Sequence, residues 1–402
     1  MMTIPAADGH ELLQKAGAGR WSRANAVFDA LIRPSFHLGG RTWPFFGLFV
    51  CSGIAAGISL ALFLGRASGV PVGTTAIALA AGLVGAGVLA VATETLVGRE
   101  LYTFYHYQII VLVAGAGMLA LLGRPVLPCL DLIGPSLGMV QALGRLGCLM
   151  AGCCHGKPHP WGVRYGPEHA EQGFARELVG VRLFPIQGIE SLYVLALAVS
   201  GAALVLTGQP AGSALATYLI GYGTIRFHME LARGDAARPY ALGFSEAQWT
   251  AGCVVTATAA GEIAGLLPLV PWHLAAFAIV CCTAAGMTLH RRFRPTHRLF
   301  RPVHVAEIAR ALDELAAWPS PPGQAPRVAC TSLGIRLSAG ALHHGRTHYA
   351  LSAREEAISE ATAQRLAALI LRLRHPSEPS RLLPGQHGVF HLLVDALEER
   401  PA

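Results

Sequence analysis

The sequence predicts an all-α polytopic membrane protein with seven or eight transmembrane helices, a small extramembrane head and a C-terminal soluble α+β domain. Three observations support this fold class. Of the 402 residues, 53% are hydrophobic and only 14% are charged, whereas a soluble domain contains about 25% charged residues. Apolar stretches of the roughly 20 residues that a helix needs to cross a bilayer recur between residues 45 and 289. After Leu289 the composition changes abruptly, and arginine occupies five of the next twelve positions.

Seven apolar stretches predict spanning helices, and an eighth is interrupted by polar residues. The clear candidates are Phe45–Leu64, Thr74–Val97, Tyr105–Leu122, Ile186–Leu206 and Leu215–Leu231, and two more are Trp249–Val270 and His273–Leu289. Pro271 and Trp272 separate the last two, which form either two helices or one kinked helix. The eighth stretch, Leu127–Met150, contains Asp131 and Arg145. Helices that face lipid do not tolerate such residues, but helices that line a polar cavity do.

The composition divides the chain into three parts. We expect an N-terminal extramembrane segment at residues 1–42, a transmembrane domain at 43–289 with its polar head at 152–183, and a soluble domain without an assigned role at 290–402. Hydrophobic periodicity in the last part predicts two helices and two stretches of strand. These are the helices Val303–Trp318 and Ala353–Leu373, and the strands within Arg327–Leu337 and His348–Leu351.

The positive charge of the chain is almost entirely arginine. The formal net charge is +7, and lysine occurs only at Lys15 and Lys157. A guanidinium is planar, weakly hydrated and suited to phosphate, so the arginines favour membrane phospholipids as partners. A GC-rich genome would produce the same bias. We expect no nucleic acid among the partners.

Two segments place ionisable side chains in apolar surroundings. The first runs from Gly144 to Pro158 and contains Arg145, whose guanidinium offers a bidentate fork to a phosphate. The second contains Arg226 and Glu230, which lie four residues apart and therefore share a helix face on which they pair. An ionisable residue within a membrane is a functional hypothesis. The alternative for the second segment is a structural pair that fixes helix packing.

The first segment is rich in cysteine. It holds Cys148, Cys153, Cys154 and His155, and thiolates and imidazole are ligands of zinc and iron–sulfur clusters. Adjacent cysteines rarely bind one zinc ion, however, and no second cluster of cysteine and histidine lies nearby in the sequence. We therefore expect no metal site. A catalytic thiol is an equally weak alternative, although Arg145 would activate Cys148 if the two lie close.

These segments, in this order, resemble the prolipoprotein diacylglyceryl transferase family of bacterial membrane enzymes. The resemblance spans Arg33 to about Val270 and is most specific at Gly144–Pro158, followed by Trp161-Gly162-Val163. The further matching blocks are Pro185-Ile186-Gln187 with Glu190-Ser191, and Tyr222-Gly223 with Arg226-Phe227, Glu230, Arg233-Gly234-Asp235 and Gln248-Trp249.

The resemblance implies a function at the bacterial plasma (inner) membrane. The family moves a diacylglyceryl group from phosphatidylglycerol to the lipobox cysteine thiol of a prolipoprotein and releases glycerol phosphate. The resemblance further implies that Arg145 and Arg226 bind the headgroup phosphate, that Glu230 orients Arg226, and that no metal or dissociable cofactor is needed. The predicted catalytic residues are Arg145, Arg226, Glu230, Tyr105 and His106. The predicted substrate-binding residues are Gly144, Gly147, Cys148, Gly152, Gln187, Glu190 and Arg233.

The sequence also departs from the family pattern. Tyr105 stands in place of the histidine that is often assigned to thiol activation, and His106, one position along, points about 100° away around a helix. Cys148 replaces an asparagine, Gly87 an arginine and Phe184 a histidine. Two alternatives therefore stay open: a non-catalytic relative that binds anionic lipid and presents its C-terminal domain to a partner, or a transporter that uses the same cavity.

Charge and resemblance give opposite orientations. The connections on the side of the head carry most of the arginines, which the positive-inside rule assigns to the cytoplasm. The resemblance places the N-terminus and the head outside the cytoplasm, and we follow it. The arginines at 291–301 then favour a cytoplasmic tail, and hence seven spans with a last region that is kinked or partly re-entrant.

Overall fold

The computed structural model describes residues 21–97, 104–235, 239–293, 295–317, 326–342, 346–355, 357–376 and 378–395. Up to residue 293 these form a helical bundle with a small head. The elements, in chain order, are α1 (residues 21–31), β1 (Ser35–Leu38), β2 (Arg41–Pro44), α2 (Phe45–Ala67), α3 (Val72–Val97), α4 (Phe104–Leu121), α5 (Val126–Ala151), β3 (Pro158–Arg164), α6 (Pro167–Glu171), β4 (Arg182–Leu183), α7 (Ile186–Leu206), α8 (Ser213–Met229), β5 (Tyr240–Ala241), β6 (Phe244–Ser245), α9 (Glu246–Ile263) and α10 (Pro271–Phe293).

Six helices within the described residues are long and apolar enough to cross a membrane, namely α2, α3, α4, α5, α7 and α10. Their positions confirm the predicted apolar helices to within a few residues. The shorter α8 packs against α5, α7, α9 and α10. Of the six apolar helices α5 is the central one, because 61% of its most apolar segment is buried, against 17–33% in the others.

Asp131 on α5 joins α5 to α8. Its Oδ2 accepts a hydrogen bond from the backbone N–H of Gly212 at 2.6 Å, and its Oδ1 accepts one from that of Leu215 at 2.8 Å. A carboxylate at the start of a helix satisfies free N–H groups and interacts favourably with the helix dipole. The intramembrane charge of Asp131 therefore caps a neighbouring helix.

The chain around Pro271 forms two helices. Gly265 adopts a φ of 74° just after α9, and α10 begins at Pro271. Glycine beyond a helix end and proline in a first turn are favoured at these positions. His273 of α10 contacts Glu262 of α9 in the interior. The interpretation of this region as one kinked helix is therefore wrong.

The tail, which comprises the residues after α10, contains a five-stranded antiparallel sheet and two helices. Its elements are α11 (Pro302–Ala317), β7 (Ala329–Cys330), β8 (Ile335–Ala341), β9 (Thr347–Ala353), α12 (Glu360–Arg374), β10 (Ser380–Pro384) and β11 (Phe390–Val394). The strand order is β10-β11-β9-β8-β7. The two predicted helices are confirmed as α11 and α12, the second shorter than predicted. The strands β10 and β11 were not predicted, because a strand of five residues carries little periodic signal.

The tail packs directly on the head (residues 152–183). Ile308 and Leu312 of α11 share one hydrophobic cluster with Val163 and Leu178 of the head. The Nε of Arg310 also lies 3.5 Å from a Glu177 carboxylate oxygen, and α12 contacts β3. A bilayer cannot lie between surfaces in contact. The contact therefore favours the eight-span alternative over seven spans, which would place a membrane between the head and a cytoplasmic tail.

Candidate functional site

Arg145 and Glu190 meet inside the bundle, where α5 packs against α7. Arg145 lies on the buried face of α5 and is 8% exposed, and Glu190 near the start of α7 is 1% exposed. The Nε of Arg145 donates to Oε2 of Glu190 at 3.0 Å. An unpaired charge is costly in such a low-dielectric interior, so each group stabilises the charged form of the other.

Side chains from neighbouring helices extend this pair into a buried hydrogen-bond network. The Tyr222 hydroxyl donates to Glu190 Oε1 at 3.1 Å, and Gln141 Nε2 approaches the same oxygen at 3.3 Å. Gln141 Oε1 in turn accepts from Gln108 Nε2 at 2.8 Å and from the Tyr218 hydroxyl at 3.0 Å. Gln108 and Tyr218 were not among the predicted site residues. A polar amide inside an apolar helix was the signal that could have identified Gln108.

Two further arginines approach from the end of α8. Arg226 Nη1 donates to Glu230 Oε2 at 2.7 Å, which confirms the pairing predicted from their spacing. Arg233 is 2% exposed and binds Asp235 through two hydrogen bonds of 2.8 and 3.0 Å. Arg226 and Arg233, like Arg145, act electrostatically on Glu190. The structure thus gathers three buried arginines around one carboxylate.

The backbone after α5 is joined to the backbone after α8. Gly156 pairs with Arg233 in an antiparallel bridge, and the N–H of Gly234 donates to the His155 carbonyl at 2.9 Å. A Cβ on Gly234 would lie 2.4 Å from the Gly156 oxygen, so only glycine permits this approach. This bridge holds Arg233 close enough to Cys154 for the two side chains to interact electrostatically. Within the described part of the chain, Nη1 of Arg233 is buried without a hydrogen-bond partner.

The thiols of Cys148, Cys153 and Cys154 cluster at the end of α5. Their sulfur atoms lie within 4.8 Å of one another, which is the spacing of a candidate metal site. Hydrogen bonds with the other two thiols, aided by the positive charges of Arg233 and Arg145, hold the pKa of Cys154 well below its usual value. The arginines therefore favour negative charge at this cluster.

Tyr105 and His106 on α4 have different neighbours. Tyr105 is 4% exposed, and its ring meets the Tyr222 ring edge-on with centroids 4.9 Å apart. Its hydroxyl has no hydrogen-bond partner among the described residues. His106 contacts α9, with Nε2 3.2 Å from Thr250 Oγ1 and 3.4 Å from Glu246 Oε1. Tyr105 therefore borders the network of Glu190, and His106 faces α9.

The other predicted substrate-binding residues occupy several positions around the cysteines. An added Cβ on Gly147 would lie 3.2 Å from backbone of α2, and Gly152 ends α5 with a φ of 82°. Gln187 Nε2 donates to the Cys153 carbonyl at 2.9 Å. An added Cβ on Gly144 would meet only open space. Gly147 thus permits close packing of α5 on α2, Gly152 and Gln187 support the thiol segment, and Gly144 borders open space.

A cavity of about 290 Å³ opens beside Glu230. The basic side chains that line it are Lys157, His290, Arg291, Arg301 and Arg365. Positive charge in a cleft raises the local concentration of small anions. The cavity therefore suits a small anion next to the Arg226–Glu230 pair.

Comparisons with known proteins show which family the chain resembles. A family model described as prolipoprotein diacylglyceryl transferase matches residues 34–263. The phosphatidylglycerol–prolipoprotein diacylglyceryl transferase of Clostridium tetani is 36% identical over 112 residues, which cover 27% of this chain and 43% of that protein. Transferase 2 of that name from Clostridium perfringens is 34% identical over 113 residues, 27% of this chain and 41% of that protein. The chain thus matches less than half the length of these relatives.

Proposed function

Because the chain belongs to the prolipoprotein diacylglyceryl transferase family, we propose that it transfers a diacylglyceryl group from phosphatidylglycerol to the cysteine thiol of a prolipoprotein. One observation carries the proposal: Arg145, buried and paired with Glu190, lies in a group of three arginines. The match to named transferases favours this function over a non-catalytic lipid-binding protein.

The proposed transfer forms a C–S bond and breaks a C–O bond. The acceptor sulfur attacks the glyceryl carbon, the thiol proton is released, and glycerol phosphate leaves with the electron pair of the broken bond. Negative charge grows on the departing phosphate, and preorganised cations stabilise it where water is excluded. Guanidinium groups bind phosphate through parallel hydrogen bonds. Arg145 and Arg226 have this role in the proposal.

The two glutamates keep these arginines oriented before the lipid binds. Glu190 is fixed by three donors and holds Arg145, while Glu230 holds Arg226. Preorganisation of this kind lowers the cost of ordering groups on binding. The open space at Gly144 admits the headgroup, and the basic cavity beside Glu230 receives the released glycerol phosphate.

The two remaining catalytic candidates have different roles in the proposal. Tyr105, with its buried hydroxyl next to Tyr222, contacts the substrate. The contacts of His106 with Thr250 and Glu246 support a structural role in joining α4 to α9.

The proposed topology has eight membrane crossings. The head and the tail are in contact, so an even number of crossings lies between them, and α7, α8, α9 and α10 supply four. The helices α2 to α5 supply the other four. In the orientation that the family resemblance implies, the head and the tail both lie outside the cytoplasm of a bacterial cell. In this topology the tail is a soluble domain docked on a transmembrane domain that begins at residue 43 and ends with α10, four residues beyond the predicted boundary at 289.

A reconstituted assay tests this function. The purified protein is mixed with phosphatidylglycerol and a lipobox peptide, and the release of glycerol phosphate and the mass of the peptide are followed. We expect release together with a diacylglyceryl gain in peptide mass, and neither with a peptide whose cysteine is serine. Release without a gain in peptide mass would contradict the proposed acceptor. Neither signal, from folded protein that binds the lipid, would contradict the transferase.

A further inference from the structure

The cysteine cluster has the spacing of a metal site. Cys148 lies in the last turn of α5, and Cys153 and Cys154 follow the left-handed turn at Gly152. Sulfur atoms that bind one zinc ion at about 2.3 Å lie roughly 3.8 Å apart in a tetrahedral site. The three sulfur atoms of the cluster are within 4.8 Å of one another. The sulfur atoms are therefore at most about 1 Å farther apart than a tetrahedral site requires.

The backbone explains how adjacent cysteines reach one centre. Neighbouring side chains of an extended chain point in opposite directions, so adjacent cysteines need a special backbone conformation to share one ion. Cys154 has a φ of 57°, in the left-handed region that residues other than glycine seldom adopt. This turn allows the thiols of Cys153 and Cys154 to converge with that of Cys148.

Two buried arginines offset the negative charge of such a site. Arg145 and Arg233 both interact electrostatically with Cys154. Three thiolates around a divalent cation carry one net negative charge, which a single guanidinium neutralises. Nη1 of Arg233 is buried and has no hydrogen-bond partner among the residues that the structure describes. An anionic centre at the cysteines would provide a counter-charge for this group.

We propose that Cys148, Cys153 and Cys154 bind a thiophilic divalent cation of the zinc class, and that its fourth position binds the thiol of the acceptor. Three protein ligands with one open position are typical of catalytic zinc sites, whereas structural sites have four protein ligands. The inference rests on the proposed function, because that function supplies the acceptor thiol.

The cation gives the acceptor thiol a way to ionise. A thiol that coordinates a metal is deprotonated, and its proton leaves to water. The bound thiolate attacks the glyceryl carbon, a C–S bond forms, the C–O bond to the phosphate breaks, and the electron pair remains on the phosphate. Cys148 and Cys154 both interact electrostatically with Arg145. The nucleophile and the leaving phosphate would therefore meet beside the same guanidinium.

Metal binding by the full-length protein tests this inference. The reduced protein is freed of metal in detergent, and Co²⁺ is titrated while the sulfur-to-cobalt charge-transfer and tetrahedral d–d absorptions are recorded. We expect saturation at one equivalent and displacement by Zn²⁺. Single substitutions Cys148→Ser, Cys153→Ser and Cys154→Ser should each weaken binding more than about a hundredfold, since loss of an outer-shell partner alone costs about 10- to 100-fold. Cys281→Ser, at an exposed thiol on α10, should bind as the unmodified protein does.

A second readout concerns the acceptor and does not depend on activity. Without phosphatidylglycerol, a lipobox peptide should shift the cobalt bands, and its serine counterpart should not. Absence of the charge-transfer band in reduced, monodisperse protein would overturn the metal site, and so would its persistence in all three serine variants. Cobalt binding without a response to the peptide would overturn the role of the fourth position. Full transfer activity of metal-free protein would overturn the role of the cation in the reaction, whereas the proposed transferase function would be unaffected.

Discussion

Arg145 and Glu190 form an ion pair, with the Arg145 Nε 3.0 Å from the Glu190 Oε2. The pair links α5 to α7 deep in the bundle, and Glu190 also accepts a hydrogen bond from Tyr222. Arg226 and Arg233 act on the same carboxylate. Glu190 is therefore the group around which the positively charged side chains of the interior are organised.

Loss of the Arg145 guanidinium should stop the transfer. We expect Arg145→Ala to reduce the rate of glycerol phosphate release about 10²- to 10³-fold, the effect of removing one preorganised donor from an anionic transition state. Arg145→Lys keeps the charge but loses the planar fork, so it should also be impaired. The exposed Arg164 of the head provides the matched control, and Arg164→Ala should be active. A normal rate in the Arg145→Ala protein would refute the site.

Substitutions of Arg145 and Glu190 should have strongly coupled effects on the stability of the protein. Removing one partner of a buried pair costs about 3–5 kcal/mol, because it leaves an uncompensated charge. We therefore expect Arg145→Ala and Glu190→Ala each to lower the melting temperature in detergent. The melting temperature of the double variant should fall by less than the sum of the two single decreases. Additive losses would show that the two groups do not depend on each other.

Tyr105→Phe should separate activity from stability. The hydroxyl of Tyr105 is buried without a partner among the described residues, and its removal relieves an unsatisfied polar group. The variant should melt at the same temperature as the unmodified protein or higher, but transfer more slowly. Tyr193→Phe removes a hydroxyl that is bonded to the Gly221 carbonyl and should be active with slightly reduced stability. Unchanged activity of Tyr105→Phe would exclude the hydroxyl from substrate contact.

The head should lose stability in mild acid. Burial lowers the pKa of His169 from its usual 6.5, and Nδ1 of the neutral ring accepts the Gly166 N–H at 3.2 Å. Because the folded state favours the neutral ring, this stability is fully present above pH 6.5 and is lost as the pH falls towards the lower folded pKa. Between pH 7.5 and about 5, the melting temperature of His169→Asn should decline less than that of the unmodified protein. His387→Asn, at an exposed histidine, should decline as the unmodified protein does, and an identical decline in His169→Asn would refute the assignment.

The head and the tail should be accessible from the same side of the membrane. The tail contains the exposed Cys330, and Glu168 lies on the exposed surface of the head. Two single-cysteine variants test this. In one, every native cysteine except Cys330 is replaced by serine; in the other, all native cysteines are replaced by serine and Glu168→Cys is added. A maleimide that cannot cross membranes should label both chains or neither in intact cells. Labelling of only one would contradict the eight-crossing topology.

The sequence by itself predicted the membrane character, the apolar helices and the arginines of the candidate site. Long apolar stretches leave a helix as the only backbone conformation that satisfies its own hydrogen bonds in lipid, so α2, α3 and α7 are recognisable from composition. Charged residues in such stretches are costly enough to stand out, and Arg145 and Arg226 were found in this way. The spacing of Arg226 and Glu230 was sufficient to predict their pairing, since both lie on one helix.

Only the tertiary structure decided which distant residues meet. Arg145 has no acid within four residues of it in the sequence, and its partner Glu190 comes from another helix. The left-handed Cys154 brings together thiols that an extended chain would separate. The docking of the tail on the head brings together two parts that the resemblance and the arginines at 291–301 had placed on opposite sides of the membrane. Contacts of this kind depend on the packing of elements far apart in the chain, and local hydrophobic periodicity carries no information about them.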